Sequence, residues 1–219
     1  MPDGDRQTVA RVREVYDEIA DHFAETRRHA WPEVEEFLAT AEGGAFGLDV
    51  GCGNGRHTEL LARHVDHALG LDASRRLLAH ARDRAADGDA RASFLQGSAG
   101  RLPIADGSID LSLYVATIHH LPSRDRRRGS LDELARVLRD GAPALVSAWS
   151  TAHDRFDASG DADTGFDTTI DWTLPGGETV GRFYHIYAPA EFERDLRASA
   201  LTLEGVEVSS GNCYARVHG

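Results

Sequence analysis

A chain of 219 residues, 41% of them hydrophobic, has room for one domain with a sizeable core. It has no apolar run approaching the ~18 residues of a membrane helix, and its cysteines, Cys52 and Cys213, are too few for a disulfide framework or a cysteine metal set. Acids outnumber bases 36 to 24 for a net charge of −12, with 22 Asp against 14 Glu and every base an Arg, which argues against a broad basic nucleic-acid surface.

Helical spacing runs through Val9, Val12, Val15, Tyr16, Ile19 and Phe23, so residues 6–25 are expected to form one helix. Trp31-Pro32 opens a second, through Val34, Phe37 and Leu38, with Pro32 in the tolerated first turn. Strands are then expected at 45–50, 67–72, 91–96, 109–115 and 142–149, and helices at 54–66, 74–86 and 124–138. This alternation implies an α/β fold with a doubly wound, mostly parallel sheet and helices on both faces. Residues 150–180 interrupt it as an acidic stretch holding Asp154, Asp157, Asp161, Asp163, Asp167 and Asp171, expected to be a surface excursion or lid. A helix at 189–200 and two strands over 201–217 finish the chain. The whole reads as one domain. Its parts are N-terminal helices (1–44), a cofactor-binding half (45–149), the insertion (150–180) and a substrate-side half (181–219).

The chemistry is concentrated where the first expected strand ends. Leu48-Asp49-Val50 leads into Gly51-Cys52-Gly53-Asn54-Gly55, and about twenty residues later a second strand ends on Asp72-Ala73-Ser74. Glycines let the backbone approach a ligand closely, and an acid ending the next strand suits the two hydroxyls of a ribose. A dinucleotide site would read G-x-G-x-x-G and seat pyrophosphate on a helix N-terminus. Here the third glycine comes one residue early, and Asp49 repels phosphate but suits a cationic amino-acid ligand. The pattern points to S-adenosylmethionine. The expected cofactor contacts are Tyr16, Asp49, Gly51, Gly53, Asn54, Gly55, Asp72 and Ala73, then Ser98 and Ala99 after the third strand and Val115 after the fourth. No metal site is expected.

These motifs resemble those of class I S-adenosylmethionine-dependent methyltransferases. Within that superfamily the chain resembles enzymes that esterify 5-carboxymethyluridine at the tRNA wobble position. The segments carrying this are Val15–Phe23 with Thr26-Arg27, Trp31-Pro32, Asp49–Gly55, Ala116-Thr117-Ile118-His119-His120-Leu121, Ala148-Trp149 and Arg182-Phe183-Tyr184-His185-Ile186-Tyr187. The resemblance implies a seven-stranded Rossmann-like methyltransferase sheet. It also implies tRNA as substrate and a small activator protein shared by translation-related methyltransferases. The strand at 91–96 is expected to be an open edge on which such a partner adds a strand. Ser98 stands where such enzymes usually carry Asp, and Arg139-Asp140-Gly141-Ala142 replaces their Arg-Pro-Gly-Gly turn.

An anionic acceptor needs cationic hydrogen-bond donors. Arg27, His119, Arg182 and His185 are expected to position the substrate carboxylate, with His119 rather than His120 toward the ligand. Trp31, Trp149 and Tyr184 are expected to stack on the base. The run Arg124, Arg126, Arg127 and Arg128 reads first as a solvated helix face and second as a phosphate contact. Two other functions fit the cofactor motifs: a methyltransferase for a quinone or metabolite acid, and a non-catalytic S-adenosylmethionine-binding scaffold. The polar start Met1-Pro2-Asp3-Gly4-Asp5 is unlike a signal peptide, so a cytoplasmic setting is expected. Asp excess and Lys absence fit a salt-loaded, haloarchaeal-type cytoplasm or a GC-rich codon bias.

Overall fold

A computed structural model describes residues 9–88, 91–156 and 163–219. Two helices, α1 (Val9–Glu18) and α2 (Ala20–Thr26), precede α3 (Pro32–Thr40). The doubly wound part follows as β1 (Gly44–Val50), α4 (Arg56–Leu61), β2 (Val65–Asp72), α5 (Arg75–Gly88), β3 (Ala92–Gln96), β4 (Leu111–Tyr114), α6 (Arg124–Val137) and β5 (Pro143–Trp149). The chain closes with β6 (Phe166–Thr173), β7 (Thr179–Ile186), α7 (Pro189–Arg197), β8 (Thr202–Ser209) and β9 (Asn212–His218).

Seven strands form one sheet in the order β3-β2-β1-β4-β5-β9-β8. The first five are parallel, and β9 pairs antiparallel with both β5 and β8. This is the expected seven-stranded, mostly parallel sheet. Alternate residues of each strand face opposite sides. Ala144, Val146 and Ala148 of β5 therefore pack with Leu131, Leu134 and Phe192 of α6 and α7. Leu145, one residue out of phase, packs with Val34, Phe37 and Leu61 of α3 and α4. The strand order reverses between β1 and β4, where an α/β sheet opens a crevice at the strands' carboxyl ends.

Two expectations need correction. The single helix over 6–25 is two: Ile19 leaves helical geometry at φ −89°, ψ 2°, between α1 and α2. No proline or glycine marks this break, so apolar spacing alone does not reveal it. Residues 1–8 lie outside the described residues, and with them the start of that expected helix and the polar start. The expected insertion at 150–180 ends in β6 and the start of β7, which pair as an antiparallel ribbon from Phe166↔Ile186 to Thr173↔Thr179. The expected boundary at 180/181 thus falls inside β7. Alternation is visible in β6: Ile170 and Trp172 are buried while Thr169, Asp171 and Thr173 are exposed. Asp157 and Asp161 lie outside the described residues.

Candidate functional site

The turn between β1 and α4 is built by backbone geometry. Gly51, Gly53 and Gly55 have φ of 73°, 55° and 77°, a region that costs an L-residue about 1–2 kcal/mol. Gly51 and Cys52 both donate their N–H to Leu71 O, at 2.6 and 3.0 Å, tying the turn to the end of β2. A Cβ on Gly51 would lie 2.1 Å from Thr117 Oγ1. One on Gly53 would meet only the Phe23 ring, at 3.5 Å. Gly51 is therefore needed for packing, whereas Gly53 keeps space open.

That space is a cavity of about 400 Å³ at the carboxyl ends of the strands, within the range of small-molecule sites. Gly51, Gly53, Asp72, Ala73, Ser98 and Ala99 line one end. Asp72 Oδ2 accepts the Gly53 N–H at 2.9 Å, and Oδ1 accepts the Ser74 N–H at 2.7 Å. A carboxylate offers about four acceptor positions, so two remain for a pair of hydroxyls. Burial raises the Asp72 pKa to about 6 against the pull of these hydrogen bonds. The residues present thus fit a ribose with an adenine beside Ser98 and Ala99, and the opening at Gly53 gives the backbone close approach.

The other end is walled by side chains. Arg27, Trp31, His119, His120, Trp149, Arg182 and Tyr184 all line it. Arg182 on β7 holds its guanidinium 4.7 Å from the Trp172 ring and 5.2 Å from the Tyr184 ring. Its Nε is buried without a hydrogen-bond partner. Arg27 reaches the same Trp172 ring at 5.2 Å. The two cations, 155 positions apart by numbering (182 − 27), are gathered by one indole that sequence reasoning did not single out.

Both histidines face the cavity, not His119 alone. His120 Nδ1 lies 2.9 Å from Phe183 O, and its Nε2 lies 2.7 Å from the Tyr16 hydroxyl. A carbonyl only accepts, so Nδ1 carries the proton and Nε2 accepts from Tyr16. His119 Nδ1 accepts the Trp149 N–H at 2.9 Å, which puts its proton on Nε2. Burial drives both pKa values down, His120 to about 3 and His119 well below its usual range. Arg182 pushes in the same direction. Both rings are neutral hydrogen-bonding groups at neutral pH, so the positive charge at this end comes from arginine. The turn that presents them holds Ala116 at φ 52°, a conformation rare outside glycine, secured by its N–H donating to Ser147.

Five expected contacts fall off the cavity wall. Asp49 is buried beneath the turn, where its carboxylate accepts from Thr58 Oγ1 at 2.7 Å; burial raises its pKa to about 7. Asn54 is buried away from the cavity and donates to Arg27 O at 2.8 Å, anchoring the α2–α3 connection. Gly55 packs against Ala81, 3.0 Å from a notional Cβ. Val115 belongs to the core on the α3–α4 side. His185 points to the opposite face of β7 from Arg182 and is held between Asp167 (2.7 Å) and Glu191 (3.2 Å). Strand alternation separates the two, and acids from β6 and α7 occupy both nitrogens of His185.

The stacking expectations also narrow. Tyr184 is 6% exposed and is covered by the Arg182 guanidinium and the His119 and His120 rings. One face of Trp31 carries the Arg56 guanidinium at 5.1 Å. Trp149 is half-buried and braced edge-on by His153, Phe156 and Tyr184. The expected solvated arginine face is wrong for Arg127, which is 3% exposed and donates to the Tyr187 hydroxyl and Leu121 O. Among the described residues no cluster of His, Cys, Asp or Glu is arranged to hold a metal, and no helix is long and apolar enough to cross a membrane.

A strand-end acid over a glycine turn, in a sheet of this order, defines a methyltransferase-type nucleotide crevice. Residues 48–141 match the family model described as a methyltransferase domain. A putative methyltransferase of Encephalitozoon cuniculi is 36% identical over 183 residues, spanning 80% of each chain. The chain belongs to this family, the class I S-adenosylmethionine-dependent methyltransferases. A tRNA (carboxymethyluridine(34)-5-O)-methyltransferase of Mus musculus is 38% identical over 140 residues, which are 64% of this chain and 20% of that protein. The chain thus spans a minor part of the length of several curated relatives it matches. Among solved structures, a chain from the complex between a Haloferax volcanii methyltransferase activator and a putative methyltransferase shares the fold. The TM-score is 0.68 at 16% identity, covering 94% of this chain and 96% of that one.

Proposed function

We propose that this protein methylates the carboxylate of 5-carboxymethyluridine at the wobble position of tRNA. The observation that carries the reading is Arg182. A guanidinium clamped between two aromatic rings, with a buried and unpaired Nε beside the cavity, is a prepared anion anchor. The similarity to the tRNA enzyme of Mus musculus supports the choice of substrate. S-adenosylmethionine, when bound by Asp72, Gly51, Gly53, Ser98 and Ala99, supplies the electrophilic methyl group.

The chain's own work is then positioning. A carboxylate is ionised near neutral pH and needs no general base, which agrees with two histidines held neutral. Arg182 and Arg27 bind the acceptor by its negative charge, and His119 offers an N–H from Nε2. Tyr16 and His120 are bonded to each other and fix the wall. Trp149, Tyr184 and Phe23 supply apolar surface that removes water from the acceptor oxygen and sharpens its orientation. An apolar-walled site for a quinone would lack the paired cations; a pure scaffold would not need them.

The activator reading is part of this proposal. β3 is an edge strand, bonded in the sheet to β2 alone, and Leu95 on it is 37% exposed. Phe94 points inward, toward Gly55 and Gly70. An unpaired edge with an exposed leucine suits strand addition by a small partner. Leu95→Asp is expected to lose co-purification of such a partner at high salt while the cofactor still binds.

The test of the function uses labelled S-adenosylmethionine with tRNA carrying 5-carboxymethyluridine. The expected product is a methyl ester that mild alkali hydrolyses. A labelled product that survives alkali, or no labelling of tRNA alongside labelling of a metabolite acid, overturns the reading.

A further inference from the structure

Acids exceed bases across the chain, yet arginines gather around the α2–α3 connection near Trp31. Arg28 follows α2, Arg56 opens α4 and Arg84 lies on α5. Arg56 Nη1 donates to His29 O at 3.3 Å, and its guanidinium covers Trp31. Arg28 Nε donates to Glu25 O at 3.0 Å, and Arg84 Nη2 donates to Arg28 O. Among the described residues neither Arg28 nor Arg56 forms an ion pair with a carboxylate. The acids that lie near are already engaged: Asp21 with Arg76 and His80, and Glu59 with Arg63 and Arg84. Glu25 lies beside Arg28. Burial and the like charges of Arg27 and Arg84 lower the Arg56 pKa to about 10, against the pull of the buried Asp49.

Crowding cations without partners is costly unless an anion arrives. Each guanidinium has five N–H donors. Arg28 and Arg56 commit a single donor each, to a main-chain carbonyl, and leave the rest free for a second acceptor. Arg56 lines the cavity, while Arg28 and Arg84 line a separate groove with Asp21, Glu25, His29 and His80; the Arg56 bond to His29 O links the two. We propose that Arg28 and Arg56 grip the phosphodiester backbone of the RNA, seating it along this groove while the attached base enters the cavity. The inference rests on the proposed RNA substrate and deepens it. A forked guanidinium matches two phosphate oxygens, and contacts at hydrogen-bond range survive where salt screens long-range attraction.

The test measures binding of a tRNA anticodon stem–loop to the full chain by fluorescence anisotropy, with turnover followed separately. Arg28→Gln and Arg56→Gln are each expected to weaken RNA binding about tenfold. Each is also expected to flatten the slope of log affinity against log salt by about one unit. S-adenosylmethionine affinity is expected to stay unchanged in Arg28→Gln, whose position lies off the cavity wall, and Arg28→Lys to keep the salt slope. Unchanged RNA affinity and slope in both Gln variants overturn the phosphate site even if tRNA is methylated. Normal RNA binding with no methylation of any tRNA overturns the proposed function and leaves the phosphate contacts standing.

Discussion

The two ends of the cavity are made in different ways. The end at Asp72 is a product of the main chain: three positive-φ glycines, N–H groups pointing at a strand-end acid, and a turn tied to Leu71 O. The end at Arg182 is a product of side chains from the α2–α3 connection, the turn after β4, β5 and β7, brought together by Trp172, Tyr184 and the Ala116 turn. A backbone site tolerates little change at its glycines and much change around them. A side-chain site fails one interaction at a time.

The largest expected effect tests that contrast directly. Gly53→Val is expected to abolish measurable S-adenosylmethionine binding by calorimetry while the protein still melts cooperatively, because its side chain fills the cavity. Gly51→Ala, two residues away, is expected to act on the fold instead. Its Cβ meets Thr117 and its φ is 73°, for a loss of about 2–5 kcal/mol in denaturant unfolding. If both variants lose only binding, the division of labour in the turn is wrong.

At the other end, Arg182→Ala is expected to slow methyl transfer to tRNA about 10–100-fold, the worth of one charge-assisted hydrogen bond, with cofactor affinity intact. A parallel loss of cofactor binding would merge the two ends into one site. Asp72→Ala is expected to do the reverse, weakening cofactor binding by about 1–3 kcal/mol.

The smallest effect concerns pH. With its pKa near 6, the Asp72 carboxylate takes up a proton as pH falls from 7 to 5 and loses acceptor capacity. Cofactor affinity is therefore expected to fall over that window. The stability sign is opposite. The folded state binds this proton near pH 6 and the unfolded chain only near 3.8, so the cost of the buried charge is present above pH 6. It is relieved as pH falls toward 3.8. The difference in melting temperature between the protein and Asp72→Asn is expected to shrink on acidification. His119 and His120, neutral throughout, should add no limb to the rate profile between pH 6 and 8.

The cofactor end was legible in the sequence because its determinants are local. Strand, glycine spacing and strand-end acid follow one another within 25 residues, from Leu48 to Asp72, and the sheet follows from alternation. Even there, Asp49, Asn54, Gly55 and Val115 support the wall from behind, a distinction that depends on which way each residue faces. The substrate end was legible only through resemblance, and unevenly. Arg27 and Arg182 converge as expected, but the Trp172 that unites them sits in a stretch whose acidity disguised a buried strand face. His185 has the composition of a ligand and the environment of a strut, because Asp167 and Glu191 reach it from other elements. Arg127 looked solvated in a run of arginines and is buried on Tyr187.

The position of β9 bears on how the molecule is made. The last strand of the chain lies inside the sheet, between β5 and β8, pairing with β5 along its whole length from Pro143↔His218 to Trp149↔Asn212. Until β9 has been synthesised and paired, β5 presents an open strand edge from Pro143 to Trp149. The glycine turn and both its flanking strands are already complete by then. A nascent chain thus holds a finished glycine turn on an unfinished sheet, and during that interval a second strand edge is exposed to its neighbours.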